Sequence, residues 1–314
     1  MEEVINILCT PDDNYVPYCG IMLTSLFENN KEENIVVYIL CEKLSDKNIA
    51  DLESLAIAYN KEIRFIYLTK EIFNNCPIRE GDHVSIAAYY RIIAPNFLPK
   101  EIDKILYLDC DIIINDNITN LYNTDIAGYS FGAIIDEGYY NPEIYRRLEY
   151  SNEFYYINSG VILFNLDYWR KNSLSEECLL YISENNEKVI FHDQDTLNAV
   201  LHETIKLLPI TYNFQTGFML THYSLGEDMK KEIEKAVYTP KIIHYTGYGK
   251  PWHFHSQHPY ARRFIYYRDL SIWKDTPLID NWSIKDKIYY LITNAIWKLG
   301  LKKRPQSYII EKQT

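Results

Sequence analysis

The chain has 314 residues, 47% hydrophobic content and a net charge of −11. That is enough for a sizeable core, so one large domain with an appendage is expected, and the acidic balance argues against broad nucleic-acid binding. The six cysteines show no CxxC spacing and read as reduced thiols of an intracellular protein; no apolar run reaches about 18 residues, and the acidic start Met1-Glu2-Glu3-Val4 carries no secretory signal.

In chain order, Val4 to Cys9 is a short apolar run of strand type, and Tyr18 to Phe27 reads as a helix. Ile35 to Cys41 is a second strand. Ser45 is placed to cap a helix through about Tyr59, with Ile49, Leu52, Leu55 and Ala56 on one face. Ile63 to Leu68 is a third strand, Ser85 to Ala94 a helix closed by Pro95, and Ile105 to Leu108 a fourth strand. This alternation predicts an α/β fold of βαβ units with a mainly parallel, twisted sheet flanked by helices. Farther on, Phe131 to Ile135, Val161 to Asn165 and Lys241 to Tyr245 read as strands, Trp169 to Asn186 as largely helical and Asp195 to Leu201 as a short helix. Tyr139 to Tyr156, rich in Tyr, Arg and Glu, reads as an acceptor-facing loop. These elements assign residues 1–258 to one domain and 259–314 to a small C-terminal helical subdomain. Trp282 to Arg304 sets Ile284, Ile288, Leu291, Ile292, Ala295 and Leu299 on a helical stripe, with six basic residues against Asp286 alone. Such a helix fits the acceptor, a partner or a membrane surface; the competing expectation is a helix packed on the domain with a solvated basic face.

Asp109-Cys110-Asp111 interrupts two apolar runs, Ile105–Leu108 and Ile112–Ile114. Two carboxylates in such surroundings need a partner, because an unpaired buried charge costs several kcal/mol. A divalent cation of the Mn²⁺ or Mg²⁺ type is such a partner, and these ions commonly bridge carboxylates to substrate phosphates. Among the eight histidines, His244 ends the run Lys241–Ile243 and opens a segment with Gly247, Gly249 and Lys250. Glycine permits close backbone approach and lysine supplies a point charge for phosphate. Thr10, Asp12 and Asn14 follow the first strand; they serve either to cap the next helix or to read a base or ribose edge. Arg91 is a surface charge or a phosphate clamp. Asp195 needs no role beyond starting a helix, whereas Asp193 and Gln194 offer a carboxylate and an amide carbonyl to a developing cation.

These residues, in this order, resemble family 8 glycosyltransferases of the GT-A, Rossmann-like fold, over roughly residues 3 to 256. The bacterial lipo-oligosaccharide and adhesin α-galactosyltransferases are the nearer resemblance and glycogenin a more distant one. The resemblance implies a retaining enzyme using a UDP-sugar with Mn²⁺, Mg²⁺ being the alternative ion. It implies Asp109, Asp111 and His244 as metal ligands, Thr10, Asp12 and Asn14 as uridine contacts, and Gly247 and Lys250 over the diphosphate. Arg91, Asn158 and Asp193 then face the donor sugar, Gln194 lies under the anomeric carbon, and His83 is near the phosphates. Cys110 and Ser159 differ from the residues common at those positions. An amide is a poor nucleophile, which favours front-face attack guided by the leaving phosphate. The expected activity is transfer of a hexose, most simply galactose, to a glycan on a surface protein or lipid, in the cytoplasm or on the inner face of the cell membrane. UDP-glucose is the alternative donor. A non-catalytic sugar- or protein-binding module is the alternative of another class, and a phosphatase of the haloacid dehalogenase type is a third reading, disfavoured by Ile112 after the motif and by the motif's mid-chain place.

Overall fold

The computed structural model describes residues 4–73, 76, 86–219, 227–256, 258–280 and 282–301. The first part alternates as the sequence predicts: β1 (Val4–Cys9), α1 (Val16–Asn29), β2 (Asn34–Cys41), α2 (Asp46–Ala58) and β3 (Glu62–Tyr67), then α3 (Tyr90–Phe97) and β4 (Lys104–Leu108). β5 (Ile112–Ile114), α4 (Thr119–Tyr122), β6 (Phe131–Ile135), α5 (Pro142–Leu148) and β7 (Ile157–Asn165) follow. Next come α6 (Leu166–Lys171), α7 (Leu174–Glu184), α8 (His192–Leu201), β8 (Ile205–Leu207) and β9 (Phe214–Gln215). The last elements are α9 (Glu227–Ala236), β10 (Ile242–His244), α10 (Ala261–Leu270) and α11 (Ile284–Lys298).

Seven strands form one mixed sheet in the order β3-β2-β1-β4-β7-β6-β8, and three form a second in the order β5-β10-β9. β1 pairs parallel with β2 and β4, and β2 with β3, so the carboxyl ends of β1 and β4 share an edge. β7 runs antiparallel to β4 and β6. Its first residues therefore reach the same edge, where ligands of open α/β sheets sit. Side chains alternate across β1: Ile5, Ile7 and Cys9 join one buried cluster and Leu8 the other, so apolar layers cover both faces.

Several boundaries differ from expectation. Pro95 lies inside α3, which runs on to Phe97, because so late a proline forfeits only one bond of a short helix. The stretch expected to be helical over Trp169–Asn186 is two helices parted at Ser173, whose φ is +53°. The expected Tyr139–Tyr156 loop contains α5, capped by Asn141, whose side chain accepts from Glu143 N. α8 starts at His192, so Asp193 and Gln194 lie in its first turn instead of before it. Beyond 259, α10 packs on α1 and buries Phe264 and Tyr267, and the Trp273 ring lies where a Gly20 side chain would be.

Candidate functional site

Cys110 is where the chain leaves one sheet for the other. Asp109 N donates to Gly160 O at 2.9 Å and extends the β4–β7 ladder, while Tyr245 N donates to Asp111 O at 3.0 Å and extends the β5–β10 ladder. The two carboxylates are thus fixed by different sheets. His244 ends β10, and its Nε2 stands 3.2 Å from Asp111 Oδ1 and 3.8 Å from Asp109 Oδ2. Ligand atoms of the three side chains lie within 4.8 Å of one another, the group among the described residues that could hold a metal ion.

The surroundings fix each ligand. His244 Nδ1 pairs with Asn213 Oδ1 at 2.8 Å, which leaves Nε2 for the cluster. Asp109 Oδ1 accepts from Tyr107 OH at 2.6 Å and from an Arg91 terminal nitrogen at 3.0 Å. The Lys250 ammonium sits on Asp111 Oδ2 and also donates to Tyr245 O at 2.7 Å. Burial alone would raise Asp111, but the Lys250 charge and His244 outweigh it and hold its carboxyl far below the usual range. Burial would lower His244, and Asp111 reverses that. Two hard carboxylates, one imidazole and a lysine already drawn in as counter-charge make a donor set that fits a divalent cation such as Mn²⁺ or Mg²⁺. Gly160 faces this cluster and has no room for a side chain: an added Cβ would lie 2.3 Å from His244 Cε1 and 2.8 Å from Asp109 Oδ2.

A second group lies beside it. Arg91, buried on α3 and 4.1 Å over the Tyr107 ring, donates to Ser159 O at 2.5 Å and has Nε 3.1 Å from Asp193 Oδ2. That N–H also serves Ala88 O at 3.1 Å, and Asp193 Oδ2 is left a buried acceptor without an aligned donor. Burial pushes Asp193 up, against the pull of Arg91. Gln194 Oε1 accepts from Ser159 N at 3.1 Å and Asn158 Nδ2 at 3.2 Å, and Gln194 Nε2 donates to Asp136 Oδ2 at 3.1 Å. Asn158 links the two groups, because its Oδ1 accepts from Asn213, the partner of His244.

The segment after β1 closes the third side. Thr10 Oγ1 and Tyr107 OH lie 3.2 Å apart. Asp12 Oδ1 accepts from Asn14 N and Tyr15 N and so shapes the turn before α1, but neither Asp12 nor Asn14 caps the helix as expected: the N-cap is Tyr15, with no side-chain cap. Tyr18 stacks on Trp252 with centroids 3.9 Å apart, which brings this segment against the segment carrying Gly247, in the left-handed region at φ +73°, and Lys250. The structure thus gathers Asp109, Asp111, His244, Lys250, Arg91, Asn158, Asp193 and Gln194 in one network, with Thr10 joined through Tyr107. His83 lies outside the described residues.

Sequence reasoning passed over Asp136, Glu137 and Asn213. Asp136 and Glu137 follow an apolar strand as Asp109 does, and burial raises both carboxyls; the same rule would have found them. Asn213 precedes a two-residue strand and carries no such signal.

General stress protein A of Bacillus subtilis (strain 168) is 29% identical to this chain over 277 residues, covering 87% of the chain and 96% of that protein. A lipopolysaccharide 1,2-glucosyltransferase of Escherichia coli is 28% identical, covering 88% of the chain and 81% of its own. Among solved structures, a galactosyltransferase, LgtC, in complex with donor and acceptor sugar analogues matches with a TM-score of 0.78 at 26% identity, over 85% of this chain and 96% of that one. The mixed, mainly parallel sheet is thus that of the GT-A glycosyltransferases. The sequence model of glycosyl transferase family 8 matches residues 6–256, and the chain belongs to that family.

Proposed function

We propose that this glycosyltransferase moves a hexose, with retention, from a UDP-sugar to a glycan on a surface protein or lipid, and that the sugar is galactose. The observation that carries the reading is the convergence of Asp109, Asp111 and His244 within 4.8 Å, beside Lys250. Those three residues would hold Mn²⁺, or Mg²⁺ in its place, and the ion when bound supplies positive charge to the diphosphate leaving group. Lys250 adds a second positive charge there, and Gly247 lets the same segment approach the phosphates. Thr10, Asp12 and Asn14 would take the uridine. Arg91 keeps Asp109 and Asp193 paired, and Asp193 Oδ2 is an acceptor suited to a donor-sugar hydroxyl. Gln194 is oriented by Ser159 N, Asn158 and Asp136; its carbonyl oxygen already accepts two of those hydrogen bonds, so toward positive charge developing at the anomeric carbon it would act as a fixed dipole and not as a nucleophile. An amide so held favours front-face attack over a lasting covalent intermediate. Residues 1–258 carry this chemistry in our reading, and residues 259–314, of which 302–314 lie outside the described residues, serve contact with the acceptor, a partner or the membrane.

The donor is the finer point. One relative is named a 1,2-glucosyltransferase and one matched structure is a galactosyltransferase, so UDP-glucose is the second reading. A hydrolysis panel of UDP-sugars with Mn²⁺ separates them. We expect UDP-galactose to be cleaved fastest, and both Asp109→Ala and His244→Ala to lose the metal-dependent rate. Preference for UDP-glucose would move the donor assignment. Full Mn²⁺-dependent transfer by either variant would overturn the metal site, and no cleavage of any UDP-sugar would favour a binding module.

A further inference from the structure

The last described helix departs from the rule that an amphipathic helix buries its apolar side. Ile284, Ile288, Leu291 and Ile292 recur along α11 at helical spacing, followed by Leu299, and they are 77%, 52%, 67%, 55% and 72% exposed. The side that touches the body is a different one. Tyr290 packs edge-on against Trp282 at 5.0 Å, and Trp282 stacks on His255 at 4.2 Å. By helical geometry Lys285 and Lys287 border the apolar stripe on its two sides, with Asp286 opposite. Lys287 Nζ also reaches Asp280 Oδ2 at 2.6 Å. The sequence from Trp282 to Arg304 has six basic residues and one acidic, a local charge of 6 − 1 = +5 on a chain of net −11.

We propose that the outward stripe of α11 is a docking surface for an anionic lipid bilayer, on which the helix lies flat. Three observations select this occupant. The helix has 15 residues, and no described helix is long and apolar enough to cross a membrane; a lipid-facing stripe with bordering lysines suits the interface plane. The segment is basic while the chain as a whole is acidic, which complements anionic headgroups and opposes pairing of two copies through this helix; Lys302, Lys303 and Arg304 of the segment lie outside the described residues. Tyr289, 73% exposed beside the stripe, is of the aromatic type that settles at headgroup depth. The docked helix has a short mechanical path to the candidate site. Ile279 N donates to Trp252 O and Phe254 N to Ile279 O, both at 2.9 Å, so the chain leading into α11 is bonded to the segment that bears Lys250. Docking would set that side of the protein toward the lipid. The inference does not depend on the sugar-transfer reading, because its test reads binding.

The test is co-sedimentation of the full chain with phosphatidylcholine vesicles, with and without phosphatidylglycerol. We expect pelleting only with the anionic lipid, weakening as salt rises. The double variant Ile288→Asp/Leu291→Asp should bind at least about tenfold more weakly, and Lys285→Glu/Lys287→Glu should lose the anionic preference. Circular dichroism and UDP-sugar hydrolysis in lipid-free solution should match the unaltered protein. No pelleting, equal pelleting on neutral vesicles, or full binding by the Asp double variant would overturn the proposal. So would light scattering that shows a dimer which the Asp variant breaks, since the stripe would then be a self-association face.

Discussion

Gly160 shows how little slack the site has. A methyl there would meet His244 and Asp109 at once, and neither can step aside cheaply. His244 is held by Asn213, and Asp109 by Tyr107 and Arg91. Gly160→Ala should therefore move a metal ligand while leaving the fold intact. We expect Mn²⁺ affinity, read by titrating the UDP-sugar hydrolysis rate, to fall about 10- to 100-fold, the range typical of altered outer contacts of a metal site. Wild-type Mn²⁺ affinity in Gly160→Ala would mean that the ion does not sit between Asp109 and His244. At this scale the sequence was informative where chemistry and hydrophobicity conflict. Asp109, Asp111 and His244 each border a buried apolar run, and such a conflict marks a site. The hydrogen bonds that orient them were not legible: Asn213 and Tyr107 become partners only through pairing of distant strands.

α8 presents Asp193 and Gln194, and its position rests on a residue read from sequence as a simple helix start. Asp195 is fully buried. Its carboxylate accepts from Ile190 N, Phe191 N and Tyr156 OH, and Arg147 of α5 holds both oxygens, at 2.6 and 3.0 Å. α5 lies within the stretch expected to be loop, so this tie between helices was invisible in the sequence: one partner was assigned no structure and the other no role. The ion pair fixes the turn from which Gln194 projects. Arg147→Ala would leave a buried carboxylate without its counter-charge, a change that costs about 3–5 kcal/mol. We expect a matching loss in urea unfolding, with kcat falling more than the affinity for UDP, because the proposed uridine contacts Thr10, Asp12 and Asn14 lie on the segment after β1 and not on α8. A stability change below about 1 kcal/mol would show that solvent relieves Asp195 and that the clamp is not structural. β1 to β3, in contrast, were legible from their side-chain pattern: β2 is a long apolar run, β1 a short one and β3 alternates charged with apolar residues at its start, with helices between them.

Across the whole molecule, the candidate metal centre is the seam between two sheets. Asp109 belongs to the edge of the seven-stranded sheet, and Asp111 and His244 to the three-stranded one. A cation there would tie the sheets together; Lys250, an internal cation from the segment after β10, reaches only Asp111 and Tyr245 O, both beside the three-stranded sheet, and so offsets the charge of Asp111 without bridging the seam. Two consequences follow for Lys250→Ala. Without ligands the variant should be less stable than the unaltered chain, because Asp111 loses its nearest positive charge and keeps only His244, Arg91 being engaged with Asp109. Added Mn²⁺ should then raise the melting temperature more in the variant than in the unaltered protein, since the ion no longer competes with the ammonium for Asp111. Linkage sets the scale: a ligand at a hundredfold excess over its Kd adds about 2.7 kcal/mol. UDP reverses the order. With Mn²⁺ present, UDP should stabilise the unaltered protein more, because only there does Lys250 remain to meet the diphosphate. Thermal shift with EDTA, Mn²⁺, and Mn²⁺ plus UDP reads all three comparisons. An equal Mn²⁺ shift in both proteins would show that Lys250 and the ion do not share Asp111, and an equal UDP increment would remove Lys250 from the phosphates.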